Sequence, residues 1–202
     1  TKAITKVDKE EYENVDVSLD VKSIFDYSWS PDSRYIVYSK MNEAFIYQLY
    51  VYGVETKSIN CISNGLFNDF NPLFTTDGEH IVFISNRRFE PTYCDLEWEM
   101  VYQKIAGIYA ITLKKDGKSL MPFKSDEEPV AAVSPVAVPV APAAGKTKAS
   151  GKTTAAPAAG SPSAIRIDFD GITDRVEALP VAKGNYRSLA VNDRSLFWLN
   201  SD

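Results

Sequence analysis

Asp26-Tyr27-Ser28-Trp29-Ser30-Pro31-Asp32-Ser33-Arg34-Tyr35-Ile36-Val37-Tyr38-Ser39 is followed, 45 residues on, by Asn71-Pro72-Leu73-Phe74-Thr75-Thr76-Asp77-Gly78-Glu79-His80-Ile81-Val82-Phe83-Ile84. Asp32 aligns with Asp77, Trp29 with Phe74, and Ile36-Val37-Tyr38 with Ile81-Val82-Phe83. Each copy reads as a short strand, a turn (Pro-Asp-Ser or Thr-Asp-Gly) and a second strand, because those turn residues accept the dihedrals of a tight hairpin. A third strand follows in each copy, Phe45 to Tyr52 in the first and Gly107 to Leu113 in the second, both rich in β-branched and aromatic residues. Ser58 to Ile62 supplies a fourth, outer strand. Four antiparallel strands in roughly 40–50 residues is the signature of a β-propeller blade.

Outward from the repeats, Asn86 to Ile105 is an excursion between the second and third strands of the second blade. Ile165 to Asp168 and Val176 to Leu179 read as the approach to its outer strand and the strand itself. A further blade begins at Arg187 to Val191, turns at Asn192-Asp193-Arg194 and continues through Ser195 to Leu199, and Ala3 to Val7 reads as the outer strand of a preceding blade. The expectation is therefore an all-β chain, part of a β-propeller with about two full four-stranded blades and partial blades at each end.

Pro129 to Ser163 is made of different material. These 35 residues hold 11 Ala, 6 Pro, 3 Gly, 4 Ser and 3 Thr, with no aromatic or acidic side chain. Such a stretch cannot bury enough apolar surface to offset its ordering entropy, so it reads as a disordered Ala/Pro-rich insert. The organisation expected is blades over 1–128, the flexible insert over 129–163, and a continuation of the same propeller over 164–202, ending in mid-blade. The other 167 residues carry all 24 aromatics, and their 19 basic and 27 acidic side chains give −8, against −5 for the whole chain of 202.

That balance argues against a nucleic-acid partner, and the three lysines of the insert (Lys146, Lys148, Lys152) are too sparse for an anionic surface. No apolar run approaches the length of a membrane span. Cys61 and Cys94 form no metal or redox pair, and no Gly-x-Ser-x-Gly elbow is present. His80, the single histidine, reads as a partly exposed strand residue rather than a catalytic base. Asp168-Phe169-Asp170-Gly171 with Asp174 invites a calcium-loop reading, but counting from Asp168 puts Ile172, Thr173 and Leu179 at the fifth, sixth and twelfth positions, where an EF-hand needs an oxygen ligand, Gly and Glu. A turn braced through Arg175 is the simpler reading. No catalytic, cofactor-binding or metal-binding residue is expected. Asp26, Asp69 and Asn71 are expected to hydrogen-bond turns between adjacent strands.

The Asn86 to Ile105 excursion is acidic and aromatic. Arg87, Arg88, Glu97, Trp98 and Glu99 are its candidates for contact with a peptide or a neighbouring domain. The plainer alternative is a covering element, with Trp98 and Tyr102 packed on the propeller edge and the carboxylates in water.

With these residues in view, the chain resembles the tricorn protease family. Tyr27 to Arg34 matches that family's blade opening, and Ser85-Asn86-Arg87-Arg88-Phe89-Glu90-Pro91 matches a segment after a second strand. More specific is Asp170-Gly171-Ile172-Thr173-Asp174-Arg175-Val176-Glu177-Ala178-Leu179-Pro180, followed by Gly184-Asn185-Tyr186. The resemblance implies a large serine peptidase that trims oligopeptides, with two propellers, a PDZ-like domain and a C-terminal catalytic domain. It implies that this region is non-catalytic and serves peptide access, filtering and domain assembly. The partners it implies are a peptide substrate reached through the full-length protein, the PDZ-like and catalytic domains of the same chain, and a homo-oligomer. A cytoplasmic location is implied, with the periplasm left open. A TolB-like or WD40-like propeller acting as a protein–protein interaction module is the alternative.

Overall fold

The computed structural model describes residues 4–8, 24, 26–93, 99–122 and 164–201. The insert expected over 129–163 lies outside the described residues.

The first repeat forms a four-stranded antiparallel meander: β1 (Tyr27–Trp29), β2 (Tyr35–Met41), β3 (Tyr47–Gly53) and β4 (Ile59–Cys61), hydrogen-bonded in that order. The second repeats this plan with β5 (Asp69–Phe74) and β6 (His80–Ser85). The excursion interrupts it with a small hairpin, β7 (Pro91–Tyr93) and β8 (Met100–Tyr102). Then β9 (Gly107–Thr112) and β10 (Val176–Ala178) complete a sheet in the order β5-β6-β9-β10. A third sheet pairs β11 (Tyr186–Val191) with β12 (Leu196–Asn200). Among the described residues there is no α-helix, only a 3-10 turn over Ile172–Arg175. The described residues are thus all-β, two four-stranded blades and the hairpin of a third.

The repeated turns are built alike, and the sequence says why. In blade 1, Ser30 Oγ donates to Asp32 Oδ1 at 2.7 Å, and the carboxylate also receives the Arg34 N–H at 3.1 Å. In blade 2, Thr75 Oγ1 donates to Asp77 Oδ1 at 2.6 Å, and the Glu79 N–H does so at 2.9 Å. Ser33 and Gly78 take the left-handed position of each turn, at φ 61° and 68°. At Gly78 a side chain has no room, because a Cβ there would stand 2.5 Å from Ile165 Cδ1.

Every residue of β6 and β9 is buried, so both faces of blade 2 are packed. Alternation sends Ile81, Phe83, Tyr109 and Ile111 towards blade 1, where they meet Val37, Leu49, Val51 and Ile62. Val82, Ile84, Ile108 and Ala110 pack on Tyr186 and Leu189 of the third sheet. Polar bonds stitch the inner strands together: the Asn71 N–H donates to Asp26 Oδ2 at 3.0 Å, and the Leu189 N–H to Asn71 Oδ1. Asp26 and Asn71 therefore join neighbouring blades.

Some local expectations change. Ile165 to Asp168 forms no strand, because its backbone bonds go elsewhere: the Ile165 N–H to Asp32 Oδ2 at 2.8 Å, and the Asp168 N–H to the Leu113 carbonyl at 2.9 Å. Its alternation survives as a plug, with Ile165 and Ile167 buried between blades 1 and 2. Phe45 leaves the expected third strand of blade 1, since Asn42 Oδ1 captures the N–H groups of Ala44 and Ile46 in a turn where Phe45 has φ 58°. Residues 4–7 carry no strand. Beside them, Asp8 accepts from the Tyr38 hydroxyl at 2.7 Å and pairs with Lys40 at 3.3 Å, against the face of blade 1 that points away from blade 2.

Candidate functional site

The register fixes which loops share a side of the blades. Asp69 pairs with Ser85, and Ser85 with Gly107, so the start of β5, the end of β6 and the start of β9 lie together. The excursion over 86–106, the approach to β5 over 62–68, and the approach to β11 around Gly184 meet there. Ala106 and Gly184 form an antiparallel bridge, and the Arg88 N–H donates to the Ile105 carbonyl at 3.0 Å. The turns between β1 and β2 and between β5 and β6 lie on the opposite side.

Arg87 enters this cluster directly after β6. Its Nη2 donates to Asp69 Oδ1 at 2.7 Å, and its Nε to Ser85 Oγ at 2.7 Å. The guanidinium lies 4.6 Å from the ring centre of Tyr109, 5.0 Å from Phe67 and 5.6 Å from Phe83. Asp69 is fully buried, and burial pushes its carboxyl up, against hydrogen bonding from Ser85 and the charge of Arg87. An Arg with two nitrogens hydrogen-bonded and aromatic rings about its guanidinium in this way holds structure together. Arg87 is a brace. Arg88 is half-buried with its Nε close to Gly107, and Glu99 is exposed. Glu97 and Trp98 lie outside the described residues.

Blade 1 carries a related arrangement. Tyr38 and Tyr50 stack at 5.8 Å where blade 2 has Phe83 and Tyr109 at 5.9 Å, and the buried Lys40 sits 5.7 Å over Tyr50. Burial, then the Asp8 carboxylate, push the Tyr38 hydroxyl well above its ordinary range. An open cavity of about 520 Å³ on this face is lined by Lys6, Asp8, Tyr27, Trp29, Ile36 and Tyr38, among others.

His80 is buried rather than partly exposed, at 4%. Its Nε2 faces the Lys118 carbonyl at 2.9 Å, and its Nδ1 has no hydrogen-bond partner among the described residues. No carboxylate–histidine–nucleophile chain runs through it. The acidic turn at 168–174 is braced by Arg175, which donates to the carbonyls of Thr112 at 2.9 Å, Asp170 at 3.1 Å, Leu113 at 3.3 Å and Asp168. Asp170 pairs with Lys115 at 2.5 Å, which holds its carboxyl below the usual range; Asp168 is held low by the Lys115 N–H, which donates to its Oδ2 at 3.1 Å, and then by Arg166 at 2.9 Å. Among the described residues no cluster of three His, Cys, Asp or Glu side chains could hold a metal ion.

What the cluster leaves facing water is the β7–β8 hairpin. All six of its residues are exposed. Phe89 at its base meets Phe67 at 5.8 Å and Tyr102, edge-on, at 5.9 Å, and Glu90 pairs with Lys183 at 2.5 Å. Tyr102 touches Phe89 but stays 51% exposed, so it does not pack on the propeller edge as the covering-element reading had it. The hairpin itself had no expectation in the sequence, since six residues exposed on both faces give no burial period to read.

Comparison with known proteins follows the same outline. The sequence profile described as the tricorn protease second β-propeller domain matches residues 3–202. Tricorn protease homolog 1 of Streptomyces coelicolor (strain ATCC BAA-471 / A3(2) / M145) is 27% identical over 171 residues, covering 85% of this chain and 14% of its own length. A second protein of that organism, described as putative tricorn protease homolog 2, is 26% identical over 179 residues, with 86% and 14% covered. The chain thus spans about one-seventh of the length of these relatives. Among solved structures, the crystal structure of the tricorn protease superimposes with a TM-score of 0.56 at 16% identity, covering 82% of this chain and 14% of that one, a likeness in fold. Among the described residues no helix is long and apolar enough to cross a membrane.

Proposed function

The chain belongs to the tricorn protease second β-propeller domain family, and from that premise we propose that it is a non-catalytic propeller segment of a larger serine peptidase acting on oligopeptides. The observation that carries this reading is the match over residues 3–202 together with blades laid out as the repeats require. The work of the segment is then mechanical. Blade 2 is braced from both sides, and the excursion is presented from a rigid base for peptide access and domain assembly. Chemistry falls to residues elsewhere in the protein, because the one buried imidazole here spends its Nε2 on a backbone carbonyl. The location that goes with this reading is cytoplasmic.

The test uses the natural full-length protein. It is assayed for hydrolysis of oligopeptides, then inactivated with a radiolabelled organophosphate, and the labelled peptide is mapped. Hydrolysis should be lost, with the label on one serine outside residues 1–202. Label on a serine inside this segment, or no hydrolysis of any peptide, refutes the proposal.

A further inference from the structure

Asn64-Gly65 is the single Asn-Gly pair in the chain, and it lies in the approach to β5. Asn64 is exposed. Its Oδ1 accepts the Leu66 N–H at 3.1 Å, which closes the side chain in a turn around the Gly65 peptide. Among the described residues the Gly65 N–H donates to no acceptor. Gly65 has φ 69°, and a Cβ there would stand 2.7 Å from Gln48 Nε2, so the turn requires glycine. These are the parts of a cyclisation. A nitrogen free of structural bonds and unhindered by a side chain lies one residue beyond a carboxamide. The Leu66 N–H already stands where Oδ1 would take up negative charge under attack.

Two other asparagines make the same turn without the glycine. Asn42 Oδ1 accepts the Ala44 N–H at 2.9 Å, and Asn192 Oδ1 accepts the Arg194 N–H at 2.9 Å. Glu43 and Asp193 follow them, and their side chains crowd the nitrogen that would attack. Asn42 also commits its amide to Gln48 Oε1 at 3.0 Å.

We propose that Asn64 is a site of spontaneous deamidation in the folded protein, through a succinimide formed with Gly65. The Gly65 nitrogen gives its proton to solvent and bonds to Asn64 Cγ; the Cγ–Nδ2 bond breaks, and the amide takes a proton from water and leaves as ammonia. Water then opens the ring at either carbonyl. Cleavage at Cγ leaves aspartate, and cleavage at the main-chain carbonyl leaves isoaspartate, with the chain now running through Cγ. One water is consumed, and nothing is oxidised or reduced. The product matters because the loop is pinned at both ends to β3: the Leu49 N–H donates to Ser63 Oγ at 3.0 Å and the Tyr47 N–H to Asn68 Oδ1 at 2.9 Å. Phe67, between those pins, lies 5.0 Å from the Arg87 guanidinium. An isoaspartyl linkage lengthens the main chain between fixed points, so the misfit falls on Phe67 and on the Arg87 brace. The proposal is independent of the peptidase reading.

The experiment incubates the natural full-length protein in mildly alkaline buffer. Peptides carrying Asn42, Asn64 and Asn192 are then quantified by mass spectrometry, with fragmentation that tells isoaspartate from aspartate. A parallel sample is held unfolded in guanidinium, and a third carries Asn64→Gln, which keeps an amide but needs a larger ring. Conversion at Asn64 in the folded protein, as a mixture of aspartate and isoaspartate, should run about tenfold or more faster than at Asn42 and Asn192, or about 1.4 kcal/mol or more in the barrier. Asn64→Gln should abolish it. Amides of residues 66–68 should exchange faster in the converted fraction while β6 and β9 keep their protection. Asn64 intact in the folded protein, whether or not the unfolded sample converts, overturns the proposal. So does conversion no faster than at Asn42 or Asn192, or a product that is aspartate alone.

Discussion

Two antiparallel pairs lie next to each other in this chain and have opposite fates. β6 and β9 are buried on both faces and pack one face on blade 1 and the other on the third sheet, whereas β7 and β8, inserted between them, are exposed on both faces. The first pair reads His-Ile-Val-Phe-Ile-Ser against Gly-Ile-Tyr-Ala-Ile-Thr, mostly aliphatic and β-branched, and holds the fold together. The second reads Pro-Thr-Tyr against Met-Val-Tyr, with two tyrosines and a methionine facing water. The difference separates what makes the blade from what the blade presents.

The sharpest way to break the comparison is a matched pair of truncations. Phe83 is fully buried between the two blades, and Phe83→Ala should cost about 3–5 kcal/mol, read as the opening free energy of the β6 amides by hydrogen exchange. Tyr102→Ala should change the same quantity by less than about 0.5 kcal/mol. Equal effects would erase the distinction between the two pairs.

The brace beneath the hairpin comes next. Arg87→Ala leaves the buried Asp69 carboxylate unpaired and should cost about 3 kcal/mol at the same amides. Arg87→Met combined with Asp69→Leu should recover part of that loss, because it removes the buried charge along with its partner. If the double variant is no better than Arg87→Ala, the ion pair is not what the site depends on.

The smallest effect is in acid. Desolvation alone would raise the Asp32 carboxyl, but hydrogen bonds from Ser30 and from the Ile165 and Arg34 N–H groups outweigh it and hold the group below its ordinary 3.8. A carboxylate with a lowered folded pKa contributes stability that is present above the unfolded value and lost as pH falls through the folded one. Urea midpoints should therefore decline as the pH drops below 3.8, and Asp32→Asn should lessen that decline. An unchanged acid slope in the variant would show that this turn does not couple blade 1 to Ile165.

How much of this was readable depended on how local the cause is. The blade turns were legible because Asp32 and Asp77 act on residues two positions away. The strands of blade 2 were legible because Ile81-Val82-Phe83-Ile84 and Ile108-Tyr109-Ala110-Ile111 are apolar without interruption. The brace was not, since Arg87 became one only when Phe67 and Asp69, Ser85 and Tyr109 converged on it from three stretches of chain. Ile165 and Ile167 kept their two-residue period yet formed no strand, because Asp32 and Leu113 took their backbone bonds. His80 lies at a turn-to-strand junction that sequence reads as open to water, and residues around Lys118 fold back to cover it.

The central claim is that β6 and β9 hold the blade together while β7 and β8 are only presented by it. Amide hydrogen exchange tests it directly, by comparing β7 and β8 with β6 and β9. The account predicts that β6 and β9 exchange slowest and that β7 and β8 exchange far faster. Hairpin amides as well protected as those of β6 and β9 would contradict it.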